Sequence, residues 1–182
     1  MAAPYSPAAI ANEFFERAAA ERKRLTPMQL LKLVYIAHGW HMAVNDPGRV
    51  LFEEPVQAWQ FGPVVPSLFH EFKQFGAEQI TRPAYVVADR EEISLDNDGN
   101  ESFDLVAPFV DRDDEQTRKL LKWVWRKYGK KTGLELSDLT HMTNSPWSQK
   151  YDPNKKGIII PNDIIRQYYV ELWEKANGRQ EH

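Results

Sequence analysis

The stretch Leu25-Thr26-Pro27-Met28-Gln29-Leu30-Leu31-Lys32-Leu33-Val34-Tyr35 contains the clearest helix start in this chain of 182 residues. Thr26 and Gln29 have the spacing of a capping box, in which each side chain hydrogen-bonds the main-chain N–H of the other residue. Pro27 suits the first helical position because its missing N–H would have no partner there. This stretch therefore predicts a helix that begins at residue 27.

The predicted helix runs to about residue 45 and ends at the turn sequence Asp46-Pro47-Gly48. Its apolar residues gather on one broad face, which predicts a helix central to the core. The residues of this face are Leu30, Leu33, Val34, Ala37, Trp40 and Val44. Lys32 and Gly39 are expected on the opposite face.

Helix starts and apolar patterns before and after this helix predict a mainly α fold. We expect a compact multi-helix bundle with a few short β-strands or a small peripheral hairpin. Further helices are predicted at residues 7–21, 66–76, 113–128 and 134–142, and a last one begins after Asn162 or Asp163. Short strands are expected at 56–59, 85–87, 93–95 and 158–160, while 144–157 reads as irregular. Residues 77–111, with turn sequence at 96–100, are interpreted as a peripheral insertion in a single domain spanning 1–182.

The composition is that of a soluble globular protein, with 42% apolar and 27% charged residues and a net charge of −3. The absence of cysteine excludes disulfides and thiolate metal sites. The near-balanced charge disfavours a dedicated nucleic-acid binder. Neither a signal peptide nor a membrane-spanning run is apparent, so we expect a cytoplasmic protein.

The histidines are the best candidates for enzyme chemistry in a sequence that has no recognisable catalytic motif. His38 and His41 have a spacing that could bring two imidazoles to one metal ion, with a third ligand from His70, His141 or a carboxylate. Both fall on or near the apolar face, however, where a histidine is more often a neutral, hydrogen-bonded core residue. We therefore predict no enzyme, metal or cofactor, and keep a histidine-based metalloenzyme as an alternative.

A stripe of basic residues lies along the helix predicted at 113–128 and continues to residue 131. Arg118, Lys122 and Arg126 recur every four residues and so share one face, and Trp123 lies away from the core face. The stripe is either a solvated face or a docking strip for an acidic partner or a nucleic-acid backbone. A nucleic-acid-binding regulator that uses residues 118–131 is therefore a second hypothesis; it predicts DNA affinity that falls steeply with salt.

Aromatic residues in loops and turns form another candidate contact surface. Trp59 and Phe61 lie at a predicted strand and turn, and Trp147 lies in a loop after a proline. Such rings either plug the core, which is the favoured interpretation, or face a partner. Gly62 and Pro63 could fix the turn as a rigid corner, since glycine permits unusual dihedrals and proline removes a donor.

Two of these segments carry a resemblance to a known family. The opening stretch, together with Ala58-Trp59-Gln60-Phe61-Gly62-Pro63-Val64-Val65-Pro66, resembles the Panacea domain of phage-associated proteins and SocA-like antitoxins. Residues 136–141, Ser145-Pro146-Trp147 and residues 164–169 are similar to the second half of that family. The resemblance covers about residues 10–173, and 77–111 match no motif of it.

The resemblance implies a mostly helical antitoxin of a bacterial or phage toxin–antitoxin pair that neutralises its cognate toxin by direct binding. It also implies a possible second partner, a Clp-type protease to which SocA-like adaptors deliver the toxin. It supplies no catalytic residues, and DNA is not an expected partner. The residues predicted to bind the partner are Trp59, Phe61, Gly62, Pro63, Arg118, Lys122, Trp123 and Arg126.

Overall fold

The structure is a computed structural model that describes residues 3–88, 94–95, 101–102 and 104–178. The helices of these ranges are α1 Pro7–Ala20, α2 Pro27–Val44, α3 Pro66–Phe72, α4 Glu115–Tyr128, α5 Gly133–Thr140, α6 Pro146–Lys150 and α7 Asn162–Asn177. The strands are β1 Gln57–Trp59, β2 Gly62–Val64, β3 Val86–Val87, β4 Ser94–Leu95, β5 Glu101–Ser102, β6 Leu105–Val106 and β7 Ile158–Ile159. A 3₁₀ turn, Lys73–Phe75, continues α3. The mainly α fold class predicted from the sequence is confirmed.

Helix α2 is the centre of the fold, and α1, α4, α5 and α7 all pack against it. It begins at the predicted capping box: the Gln29 N–H donates to Thr26 Oγ1 at 3.3 Å, and the Thr26 N–H donates to Gln29 Oε1 at 2.9 Å. Every residue from 30 to 42 is buried. Lys32 and Gly39, which were predicted to lie opposite the apolar face, are therefore buried as well, because this part of α2 has no exposed face.

The C-terminal half of α2 also differs from a simple one-face helix. Gly39 faces α7, where a side chain at this position would overlap the ring of Tyr169. Val44, predicted in the core, is 43% exposed because it lies in the last turn, beyond the packed part of the helix. Asn45 ends the helix by donating its side-chain amide to the His41 carbonyl at 2.8 Å.

Side-chain caps start most of the other helices. Ser6 Oγ accepts from the Ala9 N–H at 3.2 Å at the start of α1, and Asp114 Oδ1 accepts from the Thr117 N–H at 3.0 Å at the start of α4. Helix α7 is an exception, since its N-cap is Pro161 and no side chain caps it. The predicted cap at Asn162 or Asp163 is therefore wrong. The segment predicted as irregular, 144–157, contains the short helix α6.

The strands form small antiparallel sheets. In the three-stranded sheet the order is β2-β1-β7, and β1 and β2 form a hairpin in which Trp59 pairs with Gly62. Within residues 77–111, β3 pairs with β6 and β4 pairs with β5, which is the nested pairing of a long hairpin. The turn predicted at 96–100 lies outside the described residues. None of the helices in the described ranges is long and apolar enough to cross a bilayer.

Candidate binding groove

An apolar groove with a volume of about 440 Å³ lies between the start of α2, the tip of the β1–β2 hairpin and the end of α3. Its lining residues are Pro27, Met28, Leu31, Lys32, Trp59, Gln60, Phe61, Val64, Phe69, Lys73 and Gly76. This volume lies within the range of roughly 300–1,000 Å³ that is typical of ligand sites. The opening stretch of α2 and the Ala58–Pro66 motif thus meet at one surface.

Hydrogen bonds from three helices hold the main chain of the hairpin. The indole N–H of Trp147, in α6, donates to the Trp59 carbonyl at 2.7 Å, and Ser137 Oγ, in α5, donates to the Phe61 carbonyl at 3.3 Å. Lys32 Nζ, in α2, donates to the Pro63 carbonyl at 3.1 Å. The groove wall is therefore pre-formed, as is usual for binding sites.

Gly62 makes the close approach of α2 to the hairpin possible. Its φ of +106° lies in the region that favours glycine. A Cβ at this position would overlap Lys32 Nζ and lie 3.0 Å from Thr140 Oγ1. Pro63 follows in β2, which is an edge strand of its sheet and so tolerates the missing N–H.

The two aromatic residues of the hairpin lie differently. Phe61 is 64% exposed at the tip. Trp59 is half-buried: its ring centroid is 4.8 Å from that of Phe69, and its indole N–H donates to Gln57 Oε1 at 2.8 Å. Of the predicted contact residues, Trp59 and Phe61 thus line the groove, while Gly62 and Pro63 are buried behind it. Trp147, at 4.6 Å from the Tyr151 ring, supports the hairpin from α6.

Lys32 belongs to this site although the sequence interpretation placed it elsewhere. It lines the groove, yet it is only 2% exposed. Burial lowers the pKa of its ammonium group to about 7. The signal that could have found it is its position as the one charged residue within the apolar run from Leu30 to Ala37.

The residues predicted in the basic stripe lie on α4, and none of them lines the groove. Arg118 Nη1 is 3.1 Å from Oε1 of the buried Glu13, a carboxylate that Arg118 shares with Arg17, so Arg118 has an ion-pair partner within the fold. Trp123 is 38% exposed, and its ring packs edge-on against Trp40 at 5.0 Å between centroids. Lys122 and Arg126 are exposed. The structure therefore brings together the four hairpin residues and keeps the four α4 residues apart from them.

The two histidines of α2 are core residues. His38 Nε2 is 3.1 Å from Asn162 Oδ1, and its ring stacks on Phe52 at 4.0 Å. Burial lowers the pKa of both His38 and His41 to about 4, so both are neutral at neutral pH. Among the described residues, no group of three histidine, aspartate or glutamate side chains is placed to hold a metal ion. This geometry agrees with the interpretation of His38 as a hydrogen-bonded core residue.

Comparison with known proteins identifies the family. Residues 30–148 match the family described as "Antitoxin SocA-like, Panacea domain". This range contains every lining residue of the groove except Pro27 and Met28. The chain therefore belongs to the SocA-like family of Panacea-domain proteins, and the resemblance noted in the sequence is confirmed.

A curated relative supports the same assignment. The protein "Antitoxin SocA" of Caulobacter vibrioides (strain NA1000 / CB15N) is 28% identical over 139 residues, which are 76% of this chain and 66% of that protein. The chain thus spans slightly less than two thirds of the length of that relative. No solved structure matches the chain.

Proposed function

We propose that this protein is the antitoxin of a toxin–antitoxin pair and that it neutralises its toxin by binding it directly in the groove. The observation that carries the proposal is the apolar groove itself, which is built from the two segments that resemble the family. Phe61 at its rim, 64% exposed, is the kind of large aromatic residue that anchors protein interfaces. Because its toxin would act in the cytoplasm, we also propose that this protein is cytoplasmic.

Co-expression tests this function. A toxic product of the gene adjacent to this one should become harmless when the chain is co-expressed, and the two proteins should purify as a complex. Growth arrest that persists, with no complex at micromolar concentrations of both proteins, contradicts the proposal. Phe61→Ser, which removes the exposed ring at the rim of the groove, then tests whether the groove is the contact.

The proposal extends to the proteolytic-adaptor mode that the resemblance implies, in which the bound toxin is delivered to a Clp-type protease. Toxin half-life separates this mode from simple inhibition. In cells that lack the protease, an adaptor still forms the complex but no longer protects growth, and the toxin accumulates. Protection that is unchanged in those cells contradicts delivery and leaves neutralisation by binding alone.

A further inference from the structure

Lys32 is a buried amine that, among the described residues, has no anion to match its charge when it is protonated. Its Nζ carries up to three N–H donors, and the Pro63 carbonyl at 3.1 Å is its one hydrogen-bond acceptor among the described residues. No carboxylate in those residues lies within ion-pair distance of Nζ. A buried charge is costly unless it is paired and hydrogen-bonded, so a methionine-like residue would suit the isolated fold better than a lysine.

The second charged residue that lines the groove is also a lysine. Lys73 lies at the exposed end of the groove, and Lys32 and Lys73 are the charged residues among those that line it. The groove is thus apolar with a positive centre, and an anionic group would complement it.

We propose that the groove binds a segment of the toxin in which apolar side chains flank an aspartate or glutamate, and that this carboxylate accepts hydrogen bonds from Lys32 Nζ. The inference rests on the proposed function, because it names the chemistry of the toxin segment at the same site. Hydrogen bonds between an ammonium and a carboxylate are about twice as strong as neutral ones, and burial excludes competing water.

The position of Lys32 within the lining favours a side-chain carboxylate over a chain terminus. Met28 and Leu31 of α2 offer apolar surface on one side, and Phe61 and Val64 of the hairpin offer it on the other. A segment that crosses the groove can therefore place apolar residues before and after the acid. A terminal carboxylate would leave part of this surface uncovered.

Peptide pairs test this chemistry with the purified full chain. The probes are fluorescein-labelled nonapeptides with amidated C-termini and a central glutamate. The residue on each side of this glutamate is leucine, isoleucine, phenylalanine or tryptophan, in every combination. Each has a twin with glutamine at the centre. At pH 7, we expect the tightest glutamate peptides to bind at least tenfold more tightly than their twins by fluorescence anisotropy. Lys32→Met should abolish this ratio, whereas Lys175→Met, which removes an exposed lysine of α7, should keep it.

Zero-length cross-linking with a carbodiimide provides a test on the unmodified chain, so that it does not depend on the folding of any variant. The reagent joins the peptide carboxylate to a nearby amine, and mass spectrometry should locate the adduct on Lys32. Glutamate and glutamine peptides of equal affinity, an adduct confined to Lys73, binding that requires a free C-terminus, or a ratio that survives Lys32→Met would each overturn the inference.

Failure of this inference is distinguishable from failure of the proposed function. If the wild-type chain neutralises the toxin and Lys32→Met neutralises it equally well, the function stands and the acidic segment does not. If the wild-type chain fails to neutralise, the function fails whatever the peptides show. The peptide measurements contain no toxin and so report on the groove alone.

Discussion

Lys32 Nζ occupies the space that a side chain at position 62 would fill, so any such side chain would have to displace the end of Lys32 where α2 packs on the β1–β2 hairpin. The same contact brings Nζ to the Pro63 carbonyl and fixes the hairpin tip against α2. The shape of the groove and the position of its cation therefore depend on one pair of residues.

Gly62→Ala should separate the two effects that glycine has at this position. The φ of +106° disfavours any side chain, and the new Cβ would also displace Lys32 Nζ. Gly48→Ala is the matched control, because Gly48 has a φ of +90° and open space around it. We expect Gly48→Ala to cost about 1 kcal/mol of unfolding free energy and Gly62→Ala to cost roughly 1–3 kcal/mol more. Equal losses in denaturant unfolding would show that the contact with Lys32 does not constrain the hairpin.

Lys32 should give the protein a specific dependence of stability on pH. The pKa of its ammonium group falls from 10.5 in the unfolded chain to about 7 in the fold, so between these values the unfolded state binds more protons. Stability from this group therefore rises with pH over that window, by up to about 1.4 kcal/mol per pH unit, and is constant below it. Lys32→Met removes this contribution and should be at least as stable as the wild type at pH 6.

Thermal unfolding of both proteins between pH 6 and pH 9 measures the difference, since most other titrating groups contribute equally to the two. Lys122→Met serves as the control, because an exposed lysine should leave the wild-type pH profile unchanged. Parallel profiles for wild type and Lys32→Met would mean that Lys32 is not desolvated in the folded protein.

Phe61 should matter for neutralisation and not for folding. Its side chain is 64% exposed, so Phe61→Ser should change the unfolding free energy by no more than about 0.5 kcal/mol. Loss of an aromatic anchor at an interface typically costs about 2 kcal/mol, which is roughly a thirtyfold loss of affinity for the toxin. Leu134→Ser is the control, since Leu134 is 71% exposed on α5 and does not line the groove. Titration calorimetry measures the affinity of each variant for the toxin. Similar affinities for the two variants would show that the groove is not part of the interface.

The parts of the fold that were predictable depend on contacts close in sequence. The capping pair Thr26–Gln29 and the N-cap Ser6 act over three residues, so their patterns are legible without tertiary structure. Helix α2 was correctly placed at the centre, but its own pattern could not show that partners surround it. The predicted cap of α7 was wrong because the helix begins at Asn162, with Pro161 as its N-cap, and the Asn162 side chain instead contacts His38 of α2.

The candidate site, like the fold, was only partly predictable from the sequence. The hairpin aromatics could be singled out because large rings at a turn need a partner or a pocket. Lys32 could be noticed as a lone charge in an apolar run, but its contacts could not be predicted, because the Pro63 carbonyl and the Gly62 main chain reach it only through the packing of the hairpin on α2. The sequence correctly placed the basic stripe on the surface of α4. It could not show that Arg118 forms an ion pair with Glu13 of α1, because spacing within α4 carries no information about another helix.

Gly39→Ala tests the packing of α7 on α2. We expect it to lower the unfolding free energy, whereas helix propensity alone would raise it. Alanine is favoured over glycine in a helix interior by about 1 kcal/mol, so propensity predicts stabilisation. A Cβ at position 39 would instead overlap the ring of Tyr169, which is only 4% exposed and packs against Tyr35 at 6.2 Å and Trp40 at 5.2 Å between centroids. Because this ring has little room to move, we expect a net loss of roughly 1–3 kcal/mol in unfolding free energy.

A double-mutant cycle identifies the cause of that loss. Tyr169→Ala removes the ring and should be strongly destabilising by itself, since it leaves a cavity beside α2. In that background Gly39→Ala no longer meets the ring, so it should be neutral or stabilising. A loss of the same size in both backgrounds would assign it to the backbone of α2 and would contradict the close contact between the two helices.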